Sequence, residues 1–251
     1  MRPVDLVPEG FAETGLHIQR AGHPPTRFQV IGERSSGTNY VKRLLGRNSG
    51  LTPTESLGWK HGTIQALAVP RDMAVILCVR NAGDWARSMY AKPWHTPAPM
   101  QGLAFGDFLR APWDTIIDHP KYFAGLDPQA VGQPLQQDRD PATGLPYANL
   151  FHLRTGKLIT HLTLGNRGCS FVLVRAELAI SEPEAFLTRL RAGLGLPASD
   201  APLRPVVKRL GARFNAAAPR PAAPDALPSE DMDFLRSQLD RELERRLGYS
   251  Y

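Results

Sequence analysis

The chain contains little cysteine and no long hydrophobic run. Only two of its 251 residues are cysteines, Cys78 and Cys169, and both lie in apolar stretches typical of strands. This count predicts buried thiols in a reducing compartment and no metal site. No apolar run approaches the roughly 18 residues of a membrane-spanning helix, and the N-terminus has no signal-peptide core. These absences predict a cytoplasmic protein without stable membrane insertion.

Basic runs and interleaved aromatic and basic residues are also absent. The chain carries 30 lysines and arginines against 24 acidic residues, a formal net charge of +6. Because the arginines are scattered, this charge gives little support to a nucleic-acid partner, while it suits an anionic ligand. The content of Ala, Arg, Pro and Gly suggests a GC-rich bacterial genome.

Apolar runs alternate with amphipathic patterns along the chain. Residues 73–79 form a continuous apolar run typical of a buried parallel strand, residues 28–31 and 170–174 are also predicted to be buried strands, and helical spacing follows each of the three. A shorter strand is predicted near residues 16–19. The alternation predicts an α/β fold, with a central parallel sheet in a three-layer α/β/α arrangement.

The length predicts a single domain over residues 1–251. Within it, residues 1–26 form an N-terminal extension, and residues 229–251 form an amphipathic C-terminal helix. Residues 91–146 form an insertion in which a short helix is predicted near Phe108. Because residues 118–148 are rich in Pro, Gly, Asp and Gln without clear periodicity, this part of the chain either covers the substrate or is mobile.

The most informative segment runs from Phe28 to Tyr40 and reads FQVIGERSSGTNY. Gly32 and Gly37 frame a G-x-x-x-x-G loop after the first core strand and before a helix. This is the spacing of a phosphate-binding loop, in which backbone amides and a helix N-terminus hold an anion. The alternative is an ordinary glycine-rich turn between a strand and a helix.

The residues after the second glycine separate this loop from those of ATP- and GTP-hydrolysing enzymes. Thr38 and Asn39 occupy the positions where such loops carry Lys and then Ser or Thr. The loop therefore lacks both the lysine for a β/γ-phosphate and the hydroxyl at the magnesium position. This combination predicts a phosphate-bearing donor that is used without a metal.

A second anion-binding pattern follows the strand at residues 73–79. The strand ends on Arg80, where a magnesium-dependent enzyme would need an aspartate. A guanidinium offers a planar pair of donors to a phosphate, and Ser88, eight residues later, can add a hydroxyl. Otherwise Arg80 caps a sheet edge and Ser88 is a solvated helix serine.

Lys60 and His61 lie between these two patterns in the sequence. Histidine is the natural general base near neutral pH, and lysine can neutralise charge on a departing oxygen. A surface Lys-His turn is the alternative. Glu33 and His95 are the other candidates for the base.

These motifs together resemble the sulfotransferases that use 3′-phosphoadenosine 5′-phosphosulfate, a P-loop sulfotransferase-like family. Their donor loop reads roughly Lys-Ser-Gly-Thr-Thr; here Ser35 occupies the lysine position, and Asn39 replaces the last threonine. The family's Lys-x-His is represented by adjacent residues, Lys60 and His61. The likeness covers about residues 28–90 well and 147–251 thinly.

The resemblance implies a role for each motif residue. The 5′ side of the donor is held by Arg34, Ser35, Ser36, Gly37, Thr38 and Asn39, and the 3′-phosphate by Arg80 and Ser88. Arg175 stands at the position of a tyrosine near the adenine. Lys208 and Arg209 correspond to a late basic segment that contacts the 3′-phosphate.

The resemblance also implies the reaction. A sulfuryl group moves from the donor to a hydroxyl or amine on a small molecule, a glycan or a lipid, and adenosine 3′,5′-bisphosphate leaves without metal help. The alternatives are a non-catalytic or degenerate P-loop nucleotide-binding protein and a nucleotide kinase. The sequence leaves open the acceptor, the oligomeric state and the choice of base.

Overall fold

A computed structural model describes residues 2–64, 66–123, 125–207 and 214–251. The strands are β1 Leu16–Gln19, β2 Arg27–Ile31, β3 Thr52–Pro53, β4 Met73–Val79 and β5 Ser170–Arg175. They form a five-stranded sheet in the order β1-β5-β4-β2-β3.

Most strand pairs of the sheet are parallel. β4 pairs in parallel with β2 and β5, and β2 with β3, whereas β1 is antiparallel to β5. The predicted α/β fold is confirmed as a mostly parallel sheet with helices. The finer three-layer arrangement stays a prediction.

The α-helices are α1 Phe11–Thr14, α2 Thr38–Asn48, α3 Ala82–Ala91, α4 Ala98–Gln101, α5 Phe105–Arg110, α6 Leu150–Leu162, α7 Ala176–Ser181, α8 Pro183–Leu194, α9 Ser229–Gln238 and α10 Arg241–Arg246. Short 3-10 helices occupy Pro3–Leu6, Pro120–Tyr122, Pro128–Ala130, Gln136–Asp138 and Thr163–Asn166. None of the helices in the described ranges is long and apolar enough to cross a membrane.

The chain forms two compact units, and the first contains the sheet. It comprises Met1–Arg80, Leu158–Gly211 and Glu242–Ser250. All seven residues of β4 are buried, which explains its continuous apolar run. Cys78 and Cys169 are free and buried, so the prediction of buried thiols is confirmed.

The second unit comprises Asn81–Lys157, Ala212–Arg241 and Tyr251. It has its own apolar core, which includes the fully buried aromatic side chains Trp85, Tyr90, Phe108, Trp113 and Phe151. The prediction of one sulfotransferase-like domain over the whole chain, with its N-terminal extension, stays a prediction.

Much of the predicted insertion, residues 91–146, is ordered within the second unit. It contains α4 and α5, and isolated bridges join Trp113 to Tyr147 and Ile116 to Pro134. These bridges and the burial of Trp113 give the insertion a structural role. A role in covering substrate stays a prediction.

The prediction of one continuous C-terminal helix over residues 229–251 is wrong. α9 ends at Gln238, Leu239 takes an extended conformation with ψ 148°, and α10 begins at Arg241. The break falls where the chain passes from the second unit to the first. Leu239 is buried in the core of the second unit, which holds it in the extended conformation that ends the helix.

Candidate functional site

The glycine loop, residues 32–39, connects β2 to α2. Its backbone includes conformations that residues other than glycine rarely adopt. Gly32 has φ 140° and Gly37 has φ 90°. A Cβ on Gly32 would lie 2.6 Å from the carbonyl oxygen of Cys78, and one on Gly37 would lie 2.8 Å from the Cβ of Ala176. Both positions therefore require glycine, for conformation and for space.

Hydrogen bonds inside the loop fix its first half. The backbone N–H and the hydroxyl of Ser36 both donate to the carbonyl oxygen of Glu33, at 3.2 and 2.6 Å. The carboxylate of Glu33 accepts from the backbone N–H and the Nε of Arg34, at 2.7 and 3.0 Å. Both side chains of this ion pair are buried, so the charge of Arg34 is opposed by Glu33 within the loop itself.

The second half of the loop leads into the N-terminus of α2. Gly37 is the N-cap residue, no side chain caps the helix, and its first turn carries no acidic residue. The first amides of a helix have no acceptor within the helix, and its dipole gives them a partial positive charge. This end of α2 is therefore suited to an anion.

Lys60 and His61 are hydrogen-bonded to the same glycine of the loop. The backbone N–H of Gly32 donates to the carbonyl oxygen of Lys60 at 3.0 Å, and His61 Nδ1 lies 2.7 Å from the carbonyl oxygen of Gly32. Because a carbonyl oxygen only accepts, Nδ1 carries the hydrogen, and the lone pair of the neutral ring is on Nε2.

The ammonium of Lys60 lies at the N-terminus of α2. Its Nζ donates to Asn39 Oδ1 at 2.5 Å, and no carboxylate of the described chain lies within ion-pairing distance of it. Burial lowers the pKa of Lys60; Glu55 opposes this shift, and Lys42 adds to it. Glu55 itself is bonded to Lys42.

Arg80, the residue after β4, also lies at the glycine loop. Its guanidinium donates to the carbonyl oxygen of Ser35 at 3.0 Å. Ser35 has φ 64°, a left-handed conformation that is uncommon for a residue other than glycine. The structure thus brings the loop, Lys60, His61 and Arg80 together in the first unit.

Ser88 lies on α3, in the second unit. The N-terminus of α3 differs from that of α2 because it is capped. Asn81 Oδ1 accepts hydrogen bonds from the backbone N–H groups of Gly83 and Asp84. The hydroxyl oxygen of Tyr251 accepts one from the backbone N–H of Ala82. The predicted role of Ser88 at a 3′-phosphate stays a prediction.

Arg175, the last residue of β5, is half-buried, and its guanidinium contacts backbone. Its guanidinium donates to the carbonyl oxygen of Gly248 at 3.4 Å, and a Cβ on Gly15 would lie 2.5 Å from its Nε. Its predicted contact with adenine stays a prediction. Lys208 and Arg209 lie outside the described residues.

His95, an alternative base, pairs with Asp118 in the second unit; the side chain of His95 is buried and that of Asp118 is half-buried. His95 Nδ1 donates to Asp118 Oδ1 at 2.5 Å, and His95 has φ 70°. Burial raises the pKa of Asp118, but the hydrogen bond from His95 and the charges of His95 and His119 outweigh it, so this pKa lies below its usual value. Asp118 carries no motif, and sequence reasoning missed it.

Across the described ranges, His, Cys, Asp and Glu side chains form no group of three or more that could hold a metal ion.

Comparison of the chain with protein-family models, with curated proteins and with solved structures finds no match. A functional proposal therefore rests on the residues of the site.

Proposed function

We propose that the protein is a sulfotransferase that moves a sulfuryl group from 3′-phosphoadenosine 5′-phosphosulfate to a hydroxyl or amine acceptor. The observation that carries the proposal is the N-terminus of α2, which has no side-chain cap from Gly37 and at which the ammonium of Lys60 lies with no carboxylate of the described residues in ion-pairing distance. The ammonium and the partial positive charge at the end of the helix repel each other, and an anion bound between them would offset this repulsion. This arrangement favours a ligand with a strongly anionic end.

In this proposal the glycine loop binds the 5′ phosphosulfate end of the donor. The backbone amides at the start of α2, Thr38 and Asn39 among them, donate to its oxygens. Arg34, Ser35 and Ser36 shape the loop around this end. Arg80 binds the 3′-phosphate with its planar donors.

His61 acts as the base in the proposed reaction. The acceptor oxygen or nitrogen forms a bond to sulfur, the bond from sulfur to the bridging oxygen breaks, and the acceptor proton moves to His61 Nε2. Lys60 neutralises the charge that appears on the departing oxygen of adenosine 3′,5′-bisphosphate. The hydrogen bond from His61 Nδ1 to Gly32 orients the ring for this role.

The glycine loop argues against metal-dependent phosphoryl transfer from ATP. The loop has no lysine after Gly37, and the strand β4 ends on Arg80 where an acid would support magnesium. A guanidinium at that position would repel a divalent cation. These residues favour a donor used without a metal over a nucleotide kinase.

Calorimetric titration and thermal-shift measurement of the purified chain test the donor specificity. We expect adenosine 3′,5′-bisphosphate to bind without metal and to raise the melting temperature, and ATP with magnesium to do neither. Tighter binding of ATP with magnesium would overturn the proposal in favour of a kinase.

Incubation with ³⁵S-labelled donor and a bacterial lysate tests the transfer. We expect a labelled product that does not form when the donor is omitted or when excess bisphosphate competes. Binding of the bisphosphate with no transfer to any acceptor would instead identify a non-catalytic nucleotide-binding protein. The labelled product would also show whether the acceptor is a small molecule, a glycan or a lipid.

A further inference from the structure

We infer that Lys60 supplies, from outside the glycine loop, the positive charge that the loop lacks in its own sequence. The inference rests on the proposed function and changes the role of Lys60 within it. In addition to acting on the departing oxygen, Lys60 binds the anionic end of the donor before any bond breaks.

The glycine loop itself contains no lysine that could bind the anionic end of the donor. Thr38 follows Gly37, where phosphate-binding loops of the common type carry a lysine. Arg34 is the loop's own cation, but it is buried in an ion pair with Glu33. The loop by itself therefore offers amides and little net charge to an anion.

The contacts of Lys60 place its ammonium where the missing charge would act. Its carbonyl oxygen accepts from the N–H of Gly32, so the backbone of Lys60 is tied to the start of the loop. Its Nζ reaches Asn39, in the first turn of α2. One residue thus contacts both ends of the glycine loop.

The adjacency of Lys60 and His61 follows from these contacts. The N–H of Gly32 bonds to the backbone of Lys60, and its carbonyl oxygen bonds to the ring of His61. Consecutive residues therefore hold both polar groups of a single glycine. The same geometry sends the lysine side chain along the loop toward α2.

Moving the charge back into the loop tests this inference. Lys60→Met should weaken binding of adenosine 3′,5′-bisphosphate by about tenfold or more, the loss of one charge-assisted hydrogen bond. Ser35→Lys in the Lys60→Met background should recover most of that loss. Ser35 is suitable because its backbone, and not its side chain, bonds to Arg80. Arg43→Met is the matched control, because it removes one charge from the exposed face of α2 and should change the affinity by less than about twofold.

Proton uptake separates a direct role of Lys60 from a structural one. Burial lowers the pKa of Lys60 in the free protein, and a bound anion would raise it again. Titrations at alkaline pH in buffers of different ionisation enthalpy should therefore show proton uptake by the wild-type chain. Lys60→Met should lose this uptake, whereas Arg43→Met should keep it.

A second probe, inorganic phosphate, distinguishes failure of the inference from failure of the proposed function. Wild-type binding of the bisphosphate with unchanged affinity in Lys60→Met would overturn the inference alone. Binding of phosphate that depends on Lys60, without binding of the bisphosphate, would support the inference and overturn the proposed donor. Binding of neither probe would overturn both.

Discussion

The guanidinium of Arg80 donates a hydrogen bond to the carbonyl oxygen of Ser35 across 3.0 Å. The two residues follow neighbouring parallel strands, since β2 and β4 pair with Ile31 opposite Leu77. The carboxyl ends of such strands meet at one edge of the sheet, where ligands of α/β proteins commonly bind. A charged side chain thus supports the left-handed turn of the glycine loop and lies beside it.

We predict that Arg80→Ala weakens binding of adenosine 3′,5′-bisphosphate by at least about tenfold, because a charge-assisted contact with phosphate is lost. Arg80→Lys should recover only part of the affinity, since an ammonium cannot make the paired contact. Arg71→Ala, which removes an exposed arginine before β4, is the control. Equal affinities of the three variants in calorimetric titrations would contradict the prediction.

We predict that His61 is needed for transfer but not for donor binding. His61→Asn keeps a donor near the carbonyl oxygen of Gly32 and removes the basic Nε2. Its affinity for the bisphosphate should stay within about threefold of the wild type, while turnover falls by about 100-fold or more, the usual size of a general-base contribution. Unchanged turnover would remove His61 from the mechanism and direct attention to Glu33 or His95.

The glycine loop should tolerate no side chain at Gly37. Gly37→Ala combines a left-handed backbone with a Cβ 2.8 Å from that of Ala176, so it should cost about 1–2 kcal/mol or more of unfolding free energy. Gly46→Ala, at an exposed position in the last turn of α2, should instead stabilise by about 0.5–1 kcal/mol. Urea unfolding of both variants measures these differences. A Gly37→Ala variant with an unchanged free energy of unfolding would refute the argument from backbone strain.

The pair of His95 and Asp118 predicts a pH-dependent contribution to stability. The pKa of Asp118 is lower in the folded chain than in the unfolded one, so its contribution is complete above the unfolded value of about 4 and is lost as the pH falls through the folded value. Asp118→Asn should therefore lower the melting temperature at pH 7, and the difference from the wild type should shrink below about pH 4. Asp233→Asn, at an exposed ion pair, is the control. A melting-temperature difference that grows as the pH falls would contradict the lowered pKa of Asp118.

The ion pair of Lys157 with Asp138, which is buried on both sides, should be costly to break. Both side chains are almost fully buried, and the hydroxyl of Thr115 also donates to Asp138. Lys157→Met would remove the lysine charge from beside a buried carboxylate and should cost about 3–5 kcal/mol. Adding Asp138→Leu should recover part of the loss, because the buried carboxylate is then removed as well. Chemical denaturation of both variants measures the difference, and a single variant as stable as the wild type would refute the argument.

Several features of the site were predictable because they depend on neighbours in the sequence. The apolar strand, the two glycines and the following amphipathic helix fix the path of the chain from β2 to α2. The partner of Lys60 was not predictable, because Asn39 is 21 residues away and carries no signal of that contact. Asp118 was missed for the same reason, since only the fold of residues 91–146 brings it to His95.

The sequence by itself determined the class of fold and the position of the glycine loop. Buried strands select apolar residues and left-handed backbone selects glycine, so both can be recognised from the local sequence. Only the tertiary structure decided which cations surround that loop and where the C-terminal helix breaks at Leu239. Those outcomes depend on contacts between segments distant along the chain. Their energies come from burial and charge in the folded state, which no local pattern records.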